Sequence, residues 1–201
     1  MSFYNTIEAE STAEFKDRGS RFLAYAYPFP DAAELKHYLQ TLKKEHPKAA
    51  HFCFAYRVGN NKDNYRSSDN GEPAGTAGKP IMGRIDSKEL TDVLIIVVRY
   101  FGGTLLGVPG LINAYKSAAS MVLQVTPTVR KDVFINWLIQ FNYTETNDVL
   151  AVIKQNNCIV IHREDCLFSE LKVGIPEDKQ DNVIRDLRDI QNVHLKRITK
   201  A

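Results

Sequence analysis

Two glycine-rich stretches hold the residues whose types and spacing could do chemistry. The first runs Ser67-Ser68-Asp69-Asn70-Gly71-Glu72-Pro73-Ala74-Gly75-Thr76-Ala77-Gly78-Lys79-Pro80. Glycines let a backbone approach a ligand closely, and successive N–H groups can cradle an anion. The hydroxyls of Ser68 and Thr76 and the charge of Lys79 would add to such a cradle. Asp69 and Glu72 are candidates for an acid–base or metal-holding pair, although carboxylates three apart in a loop are common. A turn-rich loop ordered by its own hydrogen bonds explains the same composition.

The second stretch, Arg99-Tyr100-Phe101-Gly102-Gly103-Thr104-Leu105-Leu106-Gly107-Val108-Pro109-Gly110, carries a strand through a double glycine into a helix start. Unpaired N–H groups there suit phosphate or carboxylate. Its spacing matches neither GxxxxGK[ST] nor GxGxxG. A tight strand-to-helix turn with Arg99 paired to a carboxylate is the bland alternative. His51 and Cys53 alternate to one face of a strand and could form a nucleophile pair, but a cysteine inside HFCFAY reads more readily as a small buried residue. His37, His46, His162 and His194 show no metal-ligand spacing, and no metal or cofactor is expected.

The elements that must position these groups are legible as patterns. Ser20–Phe29 reads as an aromatic-rich strand. Asp31 and Glu34 form a capping box ahead of a helix carrying Leu35, Tyr38, Leu39 and Leu42. His51–Val58 is a second strand. Residues 59–80 read as one long loop, with a faint helical start over Pro80–Arg84. Val93–Val98, a continuous apolar run, predicts a strand buried on both faces. Pro109 opens a helix whose apolar stripe is Val108, Leu111, Ile112, Tyr115, Ala118, Ala119 and Val122.

Thr126-Pro127-Thr128 reads as a linker, which divides the chain into residues 1–128 and 129–201. Beyond it the pattern resets. Val133 to Phe141 alternates as a strand. Thr144 can cap a helix with Val149, Leu150 and Ile153. Strands follow at Cys158–Ile161 and through Leu167, Leu171, Val173 and Ile175. A helix with Val183, Ile184, Leu187 and Ile190 precedes a strand at Val193–Ile198. The order is βαββαβ, the ferredoxin-like unit.

Bulk properties exclude some classes. The formal charge is +2, with neither half strongly basic, so any nucleic-acid surface must come from clustering. The basic end, Arg185, Arg188, Lys196, Arg197 and Lys200, is interleaved with Asp186 and Asp189 and reads as a solvated face. Cys53, Cys158 and Cys166 include no CxxC pair, which fits free thiols in a reducing compartment. No signal peptide and no membrane span are expected, so a soluble cytoplasmic location is.

The blocks SSDNGEPAGTAGKPI and VVRYFGGTLLGVPGLINAYKSAA, with SRFLAYAYP and HFCFAYRVG upstream, resemble the YigZ/IMPACT family over residues 15–125. The resemblance implies a two-domain α+β protein. Its first domain would have the fold of the second domain of ribosomal protein S-five, and its second would be ferredoxin-like, similar to the last domain of elongation factor G. It also implies a link to translation, through RNA or the ribosome or through a translation-regulatory protein, and no settled enzymatic reaction. The motif positions include Ser68, Asp69, Gly71, Glu72, Thr76, Arg99, Tyr100, Phe101, Gly102 and Gly103. The chain departs from the family pattern at Asn70, where a second aspartate is usual, and at Asn113, where arginine is frequent. The leading expectation is a phosphate site made by Arg99, Lys79 and the backbone of Gly102 and Gly103, with Tyr100 or Phe101 stacking on a base. A protein-binding regulator and an enzyme acting on an anionic substrate are the alternatives.

Overall fold

The computed structural model describes residues 2–60, 63–165 and 168–198. Cys166, Leu167 and Lys200, named above, lie outside them. The chain divides into two compact units, the first spanning Tyr4–Lys131 and the second running from Asp132 onward and including residues 2–3. The division falls a few residues after the proline-containing segment at 126–128.

The first unit runs β1 (Phe3–Ile7), β2 (Ser11–Asp17), β3 (Ser20–Pro28), α1 (Leu35–Glu45), β4 (His51–Val58), β5 (Asn64–Ser68), α2 (Gly78–Ser87), β6 (Val93–Tyr100), α3 (Gly107–Val125) and β7 (Thr128–Asp132). Its main sheet has the order β2-β3-β6-β4-β5, and every pairing is antiparallel. β1 and β7 form a separate two-stranded ribbon.

The run at 93–98 explains the layering. Val93, Ile95 and Val97 join a core with α2 and α3, while Leu94, Ile96 and Val98 join a second core on the α1 side. Successive side chains of a strand point to opposite faces, so a strand covered by helices on both sides must be apolar throughout. α1 follows a short 3₁₀ turn, and Asp31 accepts the Ala33 N–H at 2.9 Å as a cap. In α3 the stripe packs at Leu111, Tyr115, Ala118, Ala119 and Val122, whereas Val108 and Ile112 are 52% and 38% exposed.

Residues 59–80 are not wholly loop. Asn64–Ser68 pairs with β4 as an edge strand, and α2 begins at Gly78, ahead of the faint signal at Pro80. A five-residue strand of polar residues lacks alternation, which is why the pattern hides it. β1 and β2 likewise went without a sequence signal, being short and only half-buried.

The second unit runs β8 (Phe134–Phe141), α4 (Thr146–Gln155), β9 (Ile159–Asp165), β10 (Ser169–Pro176), α5 (Gln180–Arg188) and β11 (His194–Arg197). Its sheet order is β11-β8-β10-β9, all antiparallel. This is the expected βαββαβ order, and the fold class is α+β. Ile139, Phe141, Leu171, Val173 and Ile175 pack against Val149, Ile153, Val183 and Leu187 from α4 and α5. Thr144 lies in a 3₁₀ turn and donates to Glu145, so it does not cap α4.

Candidate functional site

The two glycine-rich stretches meet. β4 and β6 are neighbours, and the loop after β5 lies beside the ends of both. Glu72 from the first stretch and Arg99 from the second form an ion pair, Arg99 Nη1 to Glu72 Oε1, at 2.6 Å. Both side chains are buried, at 3% and 6% exposure. Tyr115 of α3 donates its hydroxyl to the same carboxylate oxygen at 2.7 Å. His51 Nε2 stands 3.9 Å from that oxygen, and its Nδ1 donates to the Asn70 carbonyl at 2.9 Å. Arg99 Nη2 reaches Ser20 Oγ at 3.5 Å, and the guanidinium lies 5.4 Å from the Phe22 ring centre and 5.7 Å from that of Phe101.

This corrects the expectation for Arg99. Its charge is neutralised in the interior by Glu72 and held against two aromatic rings, so it does not stand free to meet a phosphate. Gly102 is committed as well. Its N–H donates to Ser20 Oγ at 3.2 Å, and its Cα packs on the Gly19–Ser20 turn with no room for a Cβ. Tyr100 points to the other face of the sheet, where its hydroxyl bonds His46 Nδ1 at 2.9 Å.

Asp69 organises its own loop. Its carboxylate accepts N–H groups from Gly75 at 2.8 Å, Ala77 at 2.9 Å and Gly78 at 2.8 Å. The last two are donors at the start of α2, so Asp69 caps that helix from eight residues upstream. Burial pushes the Asp69 carboxyl up, but these three N–H groups and the Lys79 charge outweigh it and hold the group below its ordinary range. Thr76 is buried and donates to the Pro73 carbonyl, and Ser68 accepts from the Asn70 N–H. Asp69 and Glu72 therefore serve separate partners and form no acid–base pair. Among the described residues no three histidine, cysteine or acidic side chains are grouped to hold a metal ion.

Cys53 faces the α2 and α3 core, with Sγ 2.9 Å from the Asp69 carbonyl oxygen and 3.3 Å from the Tyr115 hydroxyl. Burial pushes its thiol up to about 12, so at neutral pH it is a buried S–H and not a nucleophile. Burial also raises the Tyr115 hydroxyl far above its usual value, and the nearby Cys53 and Glu72 add to this.

What the stretches build together is a cleft of about 520 Å³ with Glu72, Arg99 and His51 in its floor. Its walls are apolar. Phe101 is 52% exposed, Leu105 82% and Val108 52%, and Leu106, Leu111, Pro73, Ala50 and Gly107 complete the lining. Of the expected site residues, Glu72, Arg99 and Phe101 line this cleft. Ser68, Asp69, Thr76 and Gly102 hold the loops that shape it. Exposed Lys79 and Gly103 are outside the lining, and Tyr100 is on the opposite face.

Sequence reading missed Leu105 and Val108 as wall residues, and Tyr115 and Ser20 as partners of the ion pair. One signal was available for Tyr115. A tyrosine in a leucine and alanine stripe must find a polar partner for its hydroxyl.

Both stretches lie inside residues 18–123, which match the Impact N-terminal domain. The chain is 32% identical over 162 residues to IMPACT family member YigZ of Escherichia coli (strain K12), covering 80% of this chain and 79% of that protein. It is 29% identical over 185 residues to IMPACT family member YvyE of Bacillus subtilis (strain 168), covering 91% and 84%. A crystal structure of a hypothetical protein is similar over 100% of both chains, with a TM-score of 0.77 and 28% identity. Among the described residues no helix is long and apolar enough to cross a membrane. The sequence blocks, the domain match and the similarity over most of the length agree, and the chain belongs to the IMPACT family.

Proposed function

We propose that this chain is a translation-linked binding protein whose first unit captures an apolar segment of a partner protein in the cleft between its two glycine-rich loops. The link to translation rests on family membership. The mode of binding rests on one observation: the cleft exposes Phe101, Leu105 and Val108 while the charges in its floor are already paired. Water-facing apolar side chains gathered around a concavity gain free energy when a partner covers them. A paired, buried Arg99 offers little to a phosphate, which favours a protein partner over RNA.

Salt separates the two. Phosphate contacts release counterions, so RNA binding weakens steeply as salt rises. Apolar contacts do not weaken in this way. The test is co-sedimentation of the chain with ribosomal fractions across a salt series, for wild type and Leu105→Asp. The proposal expects association that persists at high salt and is lost in the variant. Association that vanishes with salt and is indifferent to Leu105→Asp would overturn it in favour of RNA.

A further inference from the structure

The opposite face of the first unit's sheet carries a second cavity, of about 530 Å³, between α1 and β2. Tyr25 and Tyr27 stand two residues apart on β3 and so share a face; their rings lie within 5° of parallel with centres 6.3 Å apart. Tyr38 from α1 meets Tyr27 at 4.6 Å and 41°. Glu10, Glu45, His37 and the hydroxyl residues Ser11, Thr12 and Thr41 complete the lining, and no lysine or arginine joins it.

Tyr25 is held in place, its hydroxyl 2.7 Å from His46 Nε2. The other groups are unengaged: among the described residues neither the Tyr27 and Tyr38 hydroxyls nor the Glu10 and Glu45 carboxylates have a side-chain partner. The charged side chains in the lining are the carboxylates of Glu10 and Glu45. Burial raises the Tyr27 hydroxyl well above its usual value, and Tyr25, Glu10 and Glu45 push it further. Burial raises Tyr38 too, and Glu34 and Glu10 add to it.

An acidic rim alone would be satisfied by water. Three tyrosine rings in the lining change this, because aromatic carbon displaces water and a ring face attracts a positive charge. The volume is that of a ligand site and exceeds a lone ammonium head, so it admits a carbon chain as well. From this geometry we infer that the cavity binds an alkylammonium cation, its methylenes on the tyrosine faces and its charge toward Glu10 and Glu45. Such a group is carried by a free polyamine or by a lysine side chain in a peptide.

The test is calorimetric titration of the full chain with spermidine, with N-acetyl-lysine methylamide, and with neutral 3,3-dimethyl-1-butanol as the uncharged control. We expect saturable binding of at least one amine and none of the alcohol. Binding weakens about tenfold in Tyr38→Ala and in Glu45→Gln and survives in Tyr38→Phe, since the ring face and the carboxylate carry it. Tighter binding of the lysine derivative assigns a peptide source, and tighter spermidine binding a free amine; both support the site. Glu45 is exposed and Tyr38 half-buried against the α1-side core, and circular dichroism checks that each variant is folded. Amine binding that never saturates, that the alcohol matches, or that Glu45→Gln and Tyr38→Ala leave unchanged would overturn the inference.

Discussion

Glu72 carries a disproportionate share of the site, because one carboxylate oxygen takes both the Arg99 N–H and the Tyr115 O–H. Removing it strands a buried guanidinium whose Nε already lacks a partner. Glu72→Ala should therefore cost about 3–5 kcal/mol in urea denaturation, and Glu72→Gln, which keeps an acceptor, clearly less. Asp69 gives a pH signature. Its folded carboxyl ionises below the ordinary value of about 3.9, so its contribution is complete above that value and is lost as pH falls through the folded one. Wild-type Tm should drop more steeply than that of Asp69→Asn as pH falls below about 4; parallel curves would remove the capping role. The sequence pointed to these residues as chemically notable, but not to their partners. Arg99 as a phosphate ligand and Arg99 as half of an ion pair look the same in one dimension, because its partner Glu72 lies 27 residues away.

At the scale of elements, the double glycine separates packing from conformation. A Cβ on Gly102 would run into the Gly19 carbonyl group and the Ser20 nitrogen, both backbone, whereas a Cβ on Gly103 meets nothing within 4 Å but sits at a φ of +84°. Gly102→Ala should thus be severely destabilising or fail to fold. Gly103→Ala should cost about 1 kcal/mol, from backbone strain alone. Thermal melts of both variants check this, and equal losses would contradict it. β6 and α3 were readable because continuous and periodic apolar patterns are local properties. α2 was barely readable, since its cap, Asp69, comes from the preceding loop, the N-cap position itself is Ala77, and neighbouring Thr76 bonds back to Pro73. β5 was unreadable because its ladder with β4 supplies an order that its polar residues do not advertise.

Across the whole molecule, the division into two units and the βαββαβ order of the second were legible, because a proline-containing break and a reset of periodicity mark them. The character of the first unit's surface was not. Leu105 and Val108 read as ordinary members of a turn and a helix stripe, and only the fold turns them outward around the Glu72–Arg99 pair. Family membership supports a translation-related role at the level of the family, and the role proposed for the cleft is to take an apolar segment of a partner protein. The most direct test of that proposal places a photo-crosslinking amino acid at position 105, with exposed Lys88, just past the end of α2, as a control, and irradiates living cells. The expected result is an adduct specific to position 105 that resists ribonuclease. An adduct removed by ribonuclease, or none beyond the control at position 88, would contradict it.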